Sequence, residues 1–110
     1  MKLILIFFLL IFTVTAFAQK ATDNFSGSWK TAKGKIVVIT SEGKNFVGKI
    51  EGTDMIILKG LAFDGSNWKG ILQNPKENKS ANCEAFLETG KLKLIARKGI
   101  MSKTFYWIKK

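Results

Sequence analysis

The 110-residue sequence has no histidine, one cysteine (Cys83), one proline (Pro75) and one tyrosine. Each scarcity excludes something. Without histidine there is no Ser-His-Asp or Cys-His catalysis and no histidine-ligated zinc. A lone cysteine cannot form an internal disulfide framework or a cysteine-only metal cluster. Acids are also scarce, with Asp+Glu at 8 against Lys+Arg at 18, a formal net charge of +10. Carboxylate catalysis needs two acids held across a cleft, one with a raised pKa. Here Glu42, Glu51, Asp54, Asp64, Glu77, Glu84 and Glu88 fall mostly at turns or on outward-facing positions, which reads as solvated surface. No spacing selects a Ser-Lys dyad. The chain is therefore not expected to be an enzyme or to carry a cofactor or metal.

What is present divides at residue 18. Met1-Lys2 gives a short positive start, and Leu3 to Thr15 is almost wholly apolar. Ala16-Phe17-Ala18 then supplies small residues at the spacing of a signal-peptidase site, before polar Gln19-Lys20. This is the pattern of a secretory signal peptide. The apolar run is about 16 residues, short of the roughly 20 that span a bilayer. No transmembrane segment is expected after cleavage following Ala18. The expectation is export to a periplasm or the cell exterior, with a short tail over residues 19–24 and one domain over residues 25–110. The leader also holds Phe7, Phe8, Phe12 and Phe17, so these aromatics are not core material.

Beyond residue 24 there is no helical periodicity longer than about ten residues, but alternation recurs between glycine-bearing turns. Phe25 to Thr31 places Phe25, Gly27 and Trp29 on one face. Asn45 to Glu51 places Phe46, Gly48 and Ile50 together, and Asn67 to Gln73 places Trp68, Gly70 and Leu72 together. Ser80 to Glu88 sets Ala81, Cys83, Ala85 and Leu87 against polar partners, and Lys91 to Lys98 sets Leu92, Leu94 and Ala96 against Lys91, Lys93 and Arg97. The run from Asp54 to Phe63 is apolar on both parities, and Gly60 reads as a bulge. In all, the pattern predicts eight strands about 8–12 residues apart. Short turns make sequential neighbours antiparallel. The predicted fold is an all-β, eight-stranded, antiparallel up-and-down barrel of lipocalin-like type, with a β-sandwich as the alternative. Mid-strand Lys30, Lys49, Lys69, Lys91 and Lys93 lie opposite the aromatic face, which argues against a lipid-facing outer wall.

Several residues carry candidate roles. Trp29, Phe46, Trp68, Cys83 and Trp107 are assigned to the barrel core or a ligand pocket, with Trp29 closing one barrel end. Cys83 falls on an inward parity and reads as a buried thiol. Asn74-Pro75 marks the longest polar loop and a candidate loop site. The basic residues of 19–110 are lysines except Arg97, spread over nearly every strand and turn. Nucleic-acid readers favour arginine forks and clustered charge, so no nucleic-acid partner is expected. Salt-dependent association with an anionic envelope surface is.

The motifs together resemble a small exported bacterial family catalogued as domain of unknown function 2147. The resemblance rests on Gly27 with Trp29, Gly48-Lys49-Ile50, and Leu58, Gly60 and Leu61 ahead of Trp68 and Gly70. Pro75, Cys83, Trp107 and Lys109 complete it across most of residues 25–110. The chain departs at Asn74, where the family has aspartate, at Asn78, where it has glycine, and at Ala81, where it has an aromatic. The resemblance implies a lipocalin-like barrel and no particular activity. Two functions are then in view. One is a binding module for a small apolar or amphipathic ligand. The other is a structural or interaction protein of the envelope, acting through its lysine-rich surface. Lumen volume decides between them, because eight strands leave a lumen that side chains just fill or that holds one small ligand.

Overall fold

The computed structural model describes residues 19–110, and the signal peptide expected over residues 1–18 lies outside the described residues. Eight strands follow in order: β1 (Gly27–Lys30), β2 (Ile36–Glu42), β3 (Asn45–Ile50), β4 (Ile56–Phe63), β5 (Trp68–Asn74), β6 (Lys79–Glu88), β7 (Lys91–Lys98) and β8 (Met101–Lys109). Each pairs antiparallel with its sequence neighbour, and β8 returns to pair with β1, closing the barrel. The sandwich alternative is thereby excluded. Among the described residues no helix is long and apolar enough to cross a membrane.

Local chemistry explains the meander. β2 is a β-branched run, Ile36-Val37-Val38-Ile39-Thr40, which suits a pleated, half-buried surface. Its hairpin to β3 turns at Gly43, and the hairpin from β6 to β7 turns at Gly90; both glycines have positive φ. Between β4 and β5 the turn is built by Asp64 instead. Its carboxylate accepts hydrogen bonds from the backbone N–H of Ser66 and Asn67, 2.9 and 2.8 Å away. Those two bonds, with the Lys69 ammonium 3.1 Å off, hold the exposed Asp64 carboxyl down at about 2.

The predicted bulge lies at Gly60, whose φ is +59°, inside a register shift of β4 against β5 between Lys59 and Ala62. It resolves the two-parity apolar run. Leu58 and Leu61 are three apart and would face opposite ways on a regular strand, yet both are completely buried. The bulged backbone also approaches β5 closely. A Cβ built on Gly70 would sit 3.0 Å from the Leu61 Cα and 3.0 Å from the Lys59 carbonyl oxygen.

The largest departure from the sequence pattern is at the N-terminal side of the barrel. β1 begins at Gly27, where φ is +135°, so Phe25 precedes the strand. Phe25 is nevertheless completely buried, because its ring turns into the barrel end. The segment ahead of it is fixed by hydrogen bonds to β5 and β6 and caps that end, so the expected tail is a part of the packed barrel.

Replacing Gly70 by alanine forces a methyl group against main-chain atoms that have no rotamer to change. We expect Gly70→Ala to lower unfolding free energy by about 1–3 kcal/mol in urea melts. An unchanged melt would contradict the close approach of β4 and β5.

The open end of the barrel as a candidate binding site

The lumen divides into a filled half and an open half. In the filled half, Phe25 meets Phe46 and Trp68 edge-on, with ring centroids 5.5 and 5.1 Å apart. Phe46 and Phe63 each lie 5.5 Å from Trp68. The polar handles of this cluster are satisfied from the cap. Trp68 Nε1 donates to the Lys20 carbonyl at 2.8 Å, and Trp29 Nε1 donates to the Phe25 carbonyl at 3.0 Å. The Gln19 amide bridges two strands, accepting from Trp68 N–H and donating to the Ala85 carbonyl. The Lys109 ammonium covers the Trp29 ring at 4.8 Å and donates to the Ser26 carbonyl. This end is sealed.

The opposite half holds a cavity of about 790 Å³, open to solvent among the β1–β2, β3–β4, β5–β6 and β7–β8 turns. Ile50, Ile57, Leu72, Phe105 and Trp107 form much of its wall. Space exists because small residues face the lumen here. Ala81 pairs with Leu72 across β5–β6, and Ala96 pairs with Lys103 across β7–β8. Among the described residues no polar or charged side chain is buried. Depth is therefore apolar, and charge is confined to the mouth.

The mouth is basic for a reason of register. Inward parity runs through Val37, Ala81, Ala96 and Phe105 on their strands. Two residues further toward the open end, the same parity meets Lys35, Lys79, Lys98 and Lys103, and all four line the cavity. Lys33 and Lys76 join them from the turns. Lys79 is paired with Glu77 at 3.3 Å, while no carboxylate lines the cavity itself. The other two acids of this end, Glu51 and Asp54, belong to the β3–β4 turn, so the charge is concentrated on the remaining three turns.

The structure separates the residues that the sequence grouped. Trp107, Asn74 and Pro75 line the cavity. Trp29, Phe46 and Trp68 belong to the sealed half, where they pack as core. Asn74 and Pro75 also border a smaller polar hollow of about 310 Å³ with Asn78 and Ser80, where Asn78 takes a positive φ of 54°. Asn78 thus adopts the left-handed conformation that a glycine accommodates most easily. The lysines of the mouth were not singled out by sequence, although the parity of Lys79 and Lys98 was readable from Ala81 and Ala96; Phe105 to Ile108 is apolar on both parities, which hides that of Lys103.

Among the described residues no group of three His, Cys, Asp or Glu side chains is placed to hold a metal ion. No family model, curated protein or solved structure matches the chain.

Cys83 is 3% exposed, in the core below the cavity. Burial pushes its thiol up to about 11, helped by the neighbouring Glu84 carboxylate and opposed by a hydrogen bond from the Gly70 backbone. Thiolate is the reacting form. We therefore expect Cys83 to resist maleimide at neutral pH by at least about a hundredfold relative to the urea-unfolded chain. The native rate should climb with pH well beyond 9. Rapid stoichiometric labelling of folded protein at neutral pH would contradict this burial.

Proposed function

We propose that this is an exported binding barrel whose open half carries one small amphipathic ligand, apolar end inward and anionic end at the mouth. The cavity is the observation that carries the reading. Its volume of about 790 Å³ falls within the range of small-molecule sites, and its deep wall is apolar. The sealed end gives an acyl chain or aromatic ring a floor of packed side chains. Lys35, Lys98 and Lys103 supply ammonium groups where the ligand meets water, a setting that favours a carboxylate or similar anion over a neutral head. Removal of residues 1–18 on export would keep Gln19, whose amide makes the capping hydrogen bonds to Trp68 and Ala85.

Native mass spectrometry of protein purified from its own source would report a carried ligand directly. Thermal shift with dodecanoate and dodecanol tests the two ends of the proposed site separately. A ligand present at a hundredfold its Kd adds about 2.7 kcal/mol of stability, or roughly 10–20 °C in Tm for a domain of this size. We expect dodecanoate to stabilise more than dodecanol. Ala81→Trp, which sets an indole into the cavity beside Leu72, should weaken both effects without loss of fold. The Lys98→Gln/Lys103→Gln pair should weaken dodecanoate while leaving dodecanol unchanged. An Ala81→Trp protein that still binds both ligands as tightly would refute the proposal, as would a failure of every apolar or amphipathic compound to stabilise the protein.

A further inference from the structure

The β7–β8 turn is unlike the other turns of the barrel. Ile100 is wholly exposed and Met101 is 75% exposed at its tip. Tight hairpin turns ordinarily use asparagine, aspartate or glycine. The turns at the sealed end follow that habit with Gly43-Lys44, Asp64 to Asn67, and Thr89-Gly90. Gly99 supplies the positive φ of the β7–β8 turn, so Ile100 and Met101 are not required by its geometry. They also make no contribution to the core.

Basic side chains surround this apolar tip. Lys98 is the register partner of Met101, and Lys103 follows two residues later on the same strand. Lys33 and Lys76 stand on neighbouring turns of the same end. Arg97 is the exception, because it is held by the Glu84 carboxylate on the outer wall. Two apolar side chains projecting beyond a ring of lysines match a bilayer interface. Methyl groups enter the acyl boundary while ammonium groups stay at the phosphates. A soluble polyanion would use the lysines and leave Ile100 and Met101 in water.

We propose that the open end of the barrel docks on an anionic lipid bilayer, with Ile100 and Met101 inserted as the anchor and the mouth lysines on the headgroups. Docked this way, the cavity faces the lipid, and a ligand could pass between bilayer and lumen without crossing water. The docking itself does not depend on the cavity being occupied.

The test is co-sedimentation of the exported form, residues 19–110, with vesicles of phosphatidylcholine alone and of equal parts phosphatidylcholine and phosphatidylglycerol. Binding is expected on the anionic vesicles only, falling as salt rises. Ile100→Ser with Met101→Ser, which leaves the charge unchanged, should reduce partitioning by at least an order of magnitude, since each apolar side chain withdrawn from water is worth on the order of tenfold. Each mouth lysine replaced by glutamine should cost about fivefold. Lys30→Gln and Lys69→Gln on the outer wall should change partitioning far less. An Ile100→Cys protein labelled with a polarity-sensitive dye should shift to the blue on anionic vesicles. Ala81→Trp should dock as well as the unaltered protein, so ligand binding and docking fail separately. The proposal is overturned if the tip variant binds as before, if outer-wall lysines matter as much as mouth lysines, or if the dye at position 100 stays in water. Retention of near-ultraviolet circular dichroism in each variant shows that lost docking is not lost folding.

Discussion

Closure of β1 against β8 is the constraint on which the rest depends. It is a short seam. β1 has four residues, and only Trp29↔Lys109 and Lys30↔Ile108 are in register, supplemented by a hydrogen bond from Lys110 N–H to the Ser28 carbonyl. By contrast, β7 and β8 pair along their length from Lys91↔Ile108 to Lys98↔Met101. Without the seam there would be a curled sheet with two edges and no lumen. With it, every inward side chain shares one narrow space, and the size of each decides what the space contains. The cation of Lys109 lies across this join on Trp29, sealing the place where pairing is thinnest.

Within that space the side chains are unevenly distributed. Four mutually packed rings gather at one end, while Ala81 and Ala96 leave space at the other beside Phe105 and Trp107. Edge-on aromatic pairs add about 0.5–1.5 kcal/mol each beyond their burial, so clustering Phe25, Phe46, Phe63 and Trp68 reinforces one end of the barrel. The other end goes without such packing. Its inward positions run out into lysine instead of ending in a second hydrophobic plug. A cavity in a protein interior forfeits contacts on its lining, and this one leaves an apolar wall of Ile50, Ile57, Leu72, Phe105 and Trp107 open to solvent among lysines.

Much of the barrel was legible because alternation is a two-residue signal and each strand is bounded by a turn residue. Strand number, order, the Gly60 bulge and the inward placement of Cys83 all follow from it. The division of the lumen was harder to read. Parity says which residues face inward but not at what height, so Trp29, Phe46, Trp68 and Trp107 looked equivalent. Height depends on register, and register depends on the bulge and on where β1 begins. Phe25 shows the limit most clearly. It obeys the alternation of β1 while lying outside the strand, and it acts as a plug that the backbone folds over. The mouth lysines were obscured for the opposite reason, since a lysine is normally taken as outward wherever it falls.

The cap has a further consequence for how the molecule presents itself. Gln19 reaches Trp68 and Ala85 at the sealed end, and Lys110 ends beside Ser28 at that same end. Both ends of the described chain therefore leave the barrel at the pole opposite the mouth. A tether, a tag or a fused domain joined at either point would hold the barrel with its opening turned away from the attachment. The polarity of the molecule is thus written into its connectivity: the chain ends mark one pole and the open cavity the other.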